Sequence, residues 1–486
     1  MNSTKQHINI SNIHSVYFIG IGGIGMSAIA RYFLLKGVQV FGYDKTETTF
    51  TKQLVKEEIN IQYQDDINII PKEVDVVIYT PAIPADNNIL QYYKTNNYTL
   101  VKRSDVLQDI TANTYNICVA GTHGKTTVST MVAHILRDTE YGCTAFLGGI
   151  SSNYQTNFWS TTQTHCVVEA DEYDRSFLKL NPDIAVITAM DPDHLDIYGT
   201  AQAMEQGFID FTDNIKPNGL LISKYGLPRT KDFKTSNHIT YSLQNNAADV
   251  YAENIIIQNG SYQYDVVVNL KKLGKPKIIL QNIVLHMGGM HNVENTIAAI
   301  AVALYLGIDE EKIKQAIENF KGVKRRFEYI LKPYTINQPE VVGSSILPPL
   351  GGGGAGSILI DDYAHHPAEL KALIQGAKTL YPNKQCTIVF QPHLFTRTRD
   401  LANEFAESLS LADEVILLPI YPARELPIEG ITSNIILEKI QHDHKKILSK
   451  EALLEWVKQH KPELLLMAGA GDIDILVELV KNAISN

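Results

Sequence analysis

The chain has 486 residues, 44% hydrophobic and 20% charged, with a formal net charge of −10. At ~100–200 residues per domain, this length predicts about three globular domains, and the acidic balance, with no run of Lys and Arg, argues against general nucleic-acid binding. The N-terminal stretch lacks the apolar core of a secretory signal, and no apolar run reaches the roughly 20 residues of a membrane helix. Cys118, Cys143, Cys166 and Cys386 form no Cys-x-x-Cys pair, so a cytoplasmic protein with reduced thiols and no membrane partner is expected.

Apolar runs at 15–20, 38–44, 74–80 and 98–103 alternate with helical patterns after Gly22 and around Phe50–Glu58. That alternation predicts a parallel sheet with crossover helices. A second unit opens at Tyr115 with a strand over 115–121 and a helix from Lys125 to about Arg137. Further strands are predicted at 165–171, 183–190 and 219–225. Residues 250–270 alternate apolar and polar around Asn259-Gly260, as a hairpin does, and 288–307 turns from glycines into an apolar helix. A third unit starts near Arg325, with strands at 326–331, 357–366, 386–393, 414–421 and 464–472. The expected fold class is therefore α/β with three domains, 1–112, 113–324 and 325–486. The Gly/Pro-rich segment 337–357 is expected to be a flexible exposed insertion without chemistry, tolerant of removal.

Two glycine loops carry the functional signal. The first, Gly20-Ile21-Gly22-Gly23-Ile24-Gly25, fits G-x-G-x-x-G between a strand and a helix. Its glycines let a pyrophosphate approach the backbone, and the helix N-terminus offers unpaired N–H groups. Asp44 ends the next strand, where a carboxylate commonly meets a ribose. The motif alone leaves open NAD(P), another nucleotide, or a tight turn with no ligand.

The second loop is Gly121-Thr122-His123-Gly124-Lys125-Thr126-Thr127. Gly124-Lys125-Thr126 supplies backbone N–H groups, an ammonium for β/γ-phosphates and a hydroxyl for Mg²⁺. Val119 stands where the full Walker A pattern has glycine, so the match is to a shorter form. Downstream, Glu169 and Asp171 end one strand, and Asp191, Asp193, His194 and Asp196 follow another. Ligands of α/β sheets sit beyond the carboxyl ends of strands. Mg²⁺ prefers oxygen donors, which suits Glu169. His194 stays open between ligand and turn residue, and the aspartates read as turn or cap residues.

The order of these motifs, followed by Gly-x-His-Asn-x-x-Asn around His291, resembles the Mur ligases over essentially the whole chain. The resemblance implies a Rossmann-like N-terminal domain for a UDP-sugar, a central P-loop ATPase domain and a Rossmann-like C-terminal domain. It places Gly20, Gly22, Gly23, Gly25 and Asp44 on the UDP-sugar, and the loop Gly121–Thr127 on ATP. Lys125 would contact the ATP phosphates and Thr126 a Mg²⁺, with Glu169 and His194 matching a second Mg²⁺ position. His291, Asn292 and Asn295 match an adenine contact, which by themselves would read as helix-cap residues. Arg325 and Arg326 match an arginine for the ATP phosphates. Asp361 or Asp362 would meet the ribose, and His365 and His366 would line the active site.

The segment Gln391–Asp400 is most similar to family members that add L-alanine to the lactyl carboxylate of UDP-N-acetylmuramate. His393, Arg397 and Arg399 would place the amino acid. Leu394 stands where some members carry arginine, so either Arg397 or Arg399 takes a larger share of the alanine carboxylate or the pocket differs. The implied chemistry is activation of a carboxylate by ATP as an acyl phosphate, then attack by the amine. Monomer and homodimer both remain open. The nearest rival is the family's tripeptide-recycling activity on the same sugar nucleotide, disfavoured by Gln391–Asp400. A nucleotide-sensing protein without ligation leaves the acidic groups at the strand ends without a task, and an NAD-dependent oxidoreductase leaves the second loop unexplained.

Overall fold

The computed structural model describes residues 12–332, 341–342, 345–346 and 356–485, apart from 163, 193, 194, 259, 272, 273, 275 and 424. Three main sheets carry the α/β architecture. In the first, the strand order is Asn60–Gln62, Gln39–Tyr43, Ser15–Ile19, Val76–Tyr79, Leu100–Lys102, and every pair is parallel. Alternation along Ser15–Ile19 explains its burial on both faces. Val16 and Phe18 join a core with Ile29 and Phe33 of the helix Ile24–Leu35, while Tyr17 and Ile19 join Ile89 and Tyr93 on the other side. The strand order reverses between Ser15–Ile19 and Val76–Tyr79, the position where such sheets bind ligands, and the first glycine loop follows Ile19 there.

The second sheet has the order Lys277–Leu285, Ser261–Asn269, Val250–Gln258, His238–Ser242, Leu220–Lys224, Ile184–Ile187, Tyr115–Ala120, His165–Glu169, Thr144–Ser151, Thr156–Ser160. Tyr115–Ala120 lies between two parallel neighbours, with Val119 opposite Glu169 and Ala120 opposite Ile187. That register puts the ends of three strands beside the second glycine loop. The third sheet runs Glu328–Leu331, Ile358–Asp362, Leu464–Ala468, Cys386–Phe390, Glu414–Leu417, Lys445–Ile447, parallel except for its antiparallel first strand.

The strands expected from apolar runs are present. Those with mixed composition escaped the sequence pattern: Asn60–Gln62, Thr144–Ser151, Thr156–Ser160, His238–Ser242, Lys277–Leu285 and Lys445–Ile447. Most of them alternate in burial or lie at sheet edges; Thr144–Ser151 is an interior strand whose apolar run is broken by Gly148-Gly149. Most of the 337–357 insertion lies outside the described residues. Within it, Val341–Val342 pairs antiparallel with Ser345–Ile346.

By compactness the chain forms two units, one of Met1–Glu253, Asp265–Ile283 and Glu294–Phe320, the other of Asn254–Tyr264, Val284–Val293 and Lys321–Asn486. In the first unit, the helix after the first glycine loop packs directly on the second sheet. Tyr32 meets Phe146 and Phe158 with ring centroids 5.8 and 6.3 Å apart. Arg31, only 6% exposed, donates to Glu57 at 2.7 and 2.8 Å and also to Asn157. Asn157 in turn donates to the Ile24 carbonyl and Ser27. All four cysteines are buried and free. Among the described residues, no helix is long and apolar enough to cross a membrane.

Candidate active site

The second glycine loop is shaped by contacts that exclude side chains. Gly121 has φ +133°, and a Cβ there would collide with the Thr188 side chain and lie 2.7 Å from the Ala189 nitrogen. Gly124, φ +82°, caps the helix Lys125–Asp138 without any side-chain cap, leaving its first N–H groups for a ligand. A Cβ at Gly124 would sit 2.8 Å from the Asn295 carboxamide oxygen. Asn295 is thus brought against the loop from the helix Met290–Tyr305. Thr188 ties the loop down by donating to the Ala120 carbonyl at 3.2 Å and to that of His123. The His123 ring is exposed, 3.9 Å from Asp191, and Thr122 Oγ1 accepts from the Asp191 N–H at 3.2 Å.

Acidic groups converge on the cation and hydroxyl of this loop. Lys125 Nζ donates to the Gly121 carbonyl at 2.6 Å and to Glu172 Oε1 at 2.7 Å. Burial pushes the Glu172 carboxyl up, and the Lys125 ammonium opposes that shift. Thr126 Oγ1 donates to Glu169 Oε1 at 2.9 Å, and the Gly148 N–H donates to Glu169 Oε2 at 2.8 Å. A Cβ at Gly148 would occupy the space of that carboxylate. A hydroxyl and a carboxylate held together offer the hard oxygen donors that Mg²⁺ takes. His194 and Asp193 lie outside the described residues. Thr127 is buried, and Asp171 accepts from the Tyr173 N–H at 3.1 Å.

Sequence reasoning singled out Glu169 and passed over Glu172, three positions later. Its only local signal is the acidic run beyond a strand end. Gly148 went unnoticed because it is one of two adjacent glycines that interrupt the apolar run of its strand.

The first glycine loop is organised differently. Gly20 has φ +87°, and a Cβ there would come 2.9 Å from Ile83 Cδ1. The Gly22 N–H donates to Asp44 Oδ2 at 2.8 Å, and a Cβ at Gly22 would fall 2.7 Å from that oxygen. Gly23 caps the helix with no side-chain partner. A Cβ at Gly25 would lie 3.0 Å from Arg103 Nη1, so a cation flanks this loop although none is in it.

In the second compact unit, Arg325 adopts φ +58° and donates to Asp361 Oδ2 at 3.2 Å and to the Gly469 carbonyl at 2.5 Å. Asp361 is 3% exposed, and its Oδ1 has no protein hydrogen-bond partner among the described residues. Burial pushes its carboxyl up to about 7 against the pull of Arg325. Asp362 accepts from the Phe327 and Ala364 N–H groups at 2.6 and 2.8 Å, and burial still pushes it up to about 6. Arg326 is exposed. Glu369 accepts from the backbone N–H groups of His365 and His366 at 2.9 and 3.0 Å. The His365 ring lies 6.2 Å from that of His393, which stacks on Tyr421 at 5.8 Å. Leu394 takes φ +71° at the head of the short helix Phe395–Asp400. Arg397 Nη1 is buried without a protein partner among the described residues, whereas Arg399 is exposed and pairs with Asp400 at 2.7 Å. Asn292 Nδ2 donates to the Gly288 carbonyl at 2.7 Å, and His291 lies in the first turn of the same helix.

Comparison with known proteins covers the same ground. Residues 15–115 match the family described as Mur ligase family, catalytic domain; 119–303 match Mur ligase middle domain; 351–471 match Mur ligase, glutamate ligase domain. The chain is 45% identical to the UDP-N-acetylmuramate–L-alanine ligase of Parabacteroides distasonis, covering 98% of each chain. To that of Christiangramia forsetii it is 44% identical, covering 98% of this chain and 99% of the relative. The crystal structure of the UDP-N-acetylmuramate-alanine ligase from Thermotoga maritima superimposes with a TM-score of 0.77 at 27% identity, covering 97% of this chain and 98% of that one. A murein peptide ligase from Psychrobacter arcticus shares the fold, with a TM-score of 0.65 at 20% identity over 97% of this chain and 99% of that one.

Proposed function

This chain belongs to the Mur ligase family, and from that premise we propose that it joins L-alanine to the lactyl carboxylate of UDP-N-acetylmuramate at the expense of ATP, in peptidoglycan precursor synthesis. The likeness to L-alanine-adding relatives over nearly the whole of both chains carries this reading. Its three domains divide the work, with boundaries near 112/113 and 324/325. The substrates place it in the cytoplasm.

A lactyl carboxylate oxygen attacks the γ-phosphorus of ATP. The bond to the β–γ bridging oxygen breaks, and ADP leaves. The neutral amine of L-alanine then attacks the acyl carbon, inorganic phosphate departs, and the nitrogen loses a proton. Charge gathers on the transferring phosphoryl oxygens, so fixed donors aimed at them lower the barrier. Lys125 and the N–H groups at Gly124–Thr126 are such donors, and Arg326 is the more available of the paired arginines because Arg325 is engaged by Asp361. Thr126 and Glu169 fit Mg²⁺, with His194 as a further candidate, and the ion would neutralise phosphate charge when bound. The free Oδ1 of Asp361 suits a ribose hydroxyl better than Asp362, whose oxygens serve backbone N–H groups. The buried Nη1 of Arg397 suits the alanine carboxylate, and His393, four positions earlier in the same segment, is its proposed companion; Arg399 is already paired at the surface.

The test is phosphate release by the full chain with ATP, Mg²⁺ and UDP-N-acetylmuramate, plus L-alanine, a tripeptide, or neither. Sustained release and an amide product only with L-alanine are expected. Turnover with the tripeptide alone would transfer the chain to the recycling activity, and no turnover with either would sink the proposal.

A further inference from the structure

The lysine of the second glycine loop is not free to wander. An ammonium has three N–H donors. One of them reaches the Gly121 carbonyl at 2.6 Å and another Glu172 Oε1 at 2.7 Å. The geometry points to Glu172 as a positioning residue for Lys125: it holds the ammonium so that a single N–H faces the nucleotide phosphates, and its charge keeps the loop from retaining ADP. The inference rests on the assignment of the loop Gly121–Thr127 to ATP.

Glu172 cannot step aside for a phosphate. Its side chain is 0% exposed and that of Lys125 is 15% exposed. The Tyr198 hydroxyl donates to the Glu172 carbonyl at 2.8 Å, and the Arg175 guanidinium lies 5.1 Å over the Tyr198 ring. The chain leaves Glu172 through Asp174 and Arg175, with φ +51° and +60°, a turn that fixes where the carboxylate stands. The exposed pair of the loop's His123 with Asp191 shows the contrast, since both side chains are more than two-thirds exposed and can part freely. A buried ion pair is a poor device for stability alone, because desolvating both charges offsets their attraction. As a positioning device it has two effects. It removes rotamer freedom from a long side chain before the reaction, and it sets a fixed negative charge beside an anion site, weakening every phosphate ligand there.

Two substitutions separate these effects. Glu172→Gln keeps shape and removes charge: ADP should bind roughly tenfold tighter by calorimetry, kcat should fall about tenfold, and the KM for UDP-N-acetylmuramate should stay within about twofold of native. Glu172→Asp keeps charge but is one methylene short of Lys125. Its ADP affinity should stay within about twofold of native while kcat falls about tenfold. A merely structural role would lower thermal stability and leave the ADP constant and kcat of the folded enzyme untouched; native values of both in either variant would overturn the inference. Lys125→Ala is the separate control. If it binds ADP as the native chain does, the ATP assignment itself falls; if its ADP binding is lost while Glu172→Gln behaves as native, only the role of Glu172 falls.

Discussion

The two glycine loops use one backbone device for different electrostatic ends. Both follow a buried parallel strand, both open a helix whose cap is a glycine without a side-chain partner, and both turn through a glycine in the left-handed region. They differ in what surrounds the exposed N–H groups. Around the first, a carboxylate accepts from the loop, and a flanking cation, Arg103, comes from outside it. Around the second, a lysine and a threonine inside the loop are each matched to a carboxylate. The first arrangement suits a diphosphate that is held and not broken. The second suits a phosphoryl group in transfer, where charge must be met as it develops. On the proposed reading, the shared loop geometry is what receives phosphate, and the neighbouring charges separate binding from reaction.

Four substitutions strain that comparison, in falling order of effect. Lys125→Ala should abolish phosphate release while UDP-N-acetylmuramate binding, followed by calorimetry, persists. Surviving turnover would mean that the second loop does not run the reaction. Next come the glycines. Gly121→Ala places a methyl against backbone at the Ala189 nitrogen at φ +133°, whereas Gly20→Ala meets only the far end of Ile83 at φ +87°. Urea unfolding should show a loss of about 3 kcal/mol for the former and about 1–2 kcal/mol for the latter; equal losses would show that the loops are equally constrained. Smallest, Asp44→Ala should raise the KM for UDP-N-acetylmuramate by roughly tenfold and leave that for ATP unchanged. A matching rise in the ATP value would blur the division of labour between the loops.

Much of this site was legible from residue order because phosphate binding relies on local structure. A glycine-rich turn between an apolar strand and a helix carries its own signal, and Gly20–Gly25 and Gly121–Thr127 fall where that signal put them. Asp361 and Asp362 were equivalent in sequence. They part in the fold because adjacent strand residues face opposite ways, one to Arg325 and the other to the backbone of Phe327 and Ala364. Arg397 and Arg399 likewise diverge, one with a buried nitrogen and the other paired at the surface. His194, named from sequence, lies outside the described residues.

Strand–helix alternation, the two glycine loops and the motif order were thus determined by sequence alone, since each rests on residues a few positions apart. Only the tertiary structure decided which charges meet. Glu169 reaches Thr126 because parallel register sets Glu169 opposite Val119, and Glu172 reaches Lys125 across 47 positions of sequence because the turn after that strand folds back beneath the loop. Pairing over such separations is set by sheet register and burial, which no local pattern encodes.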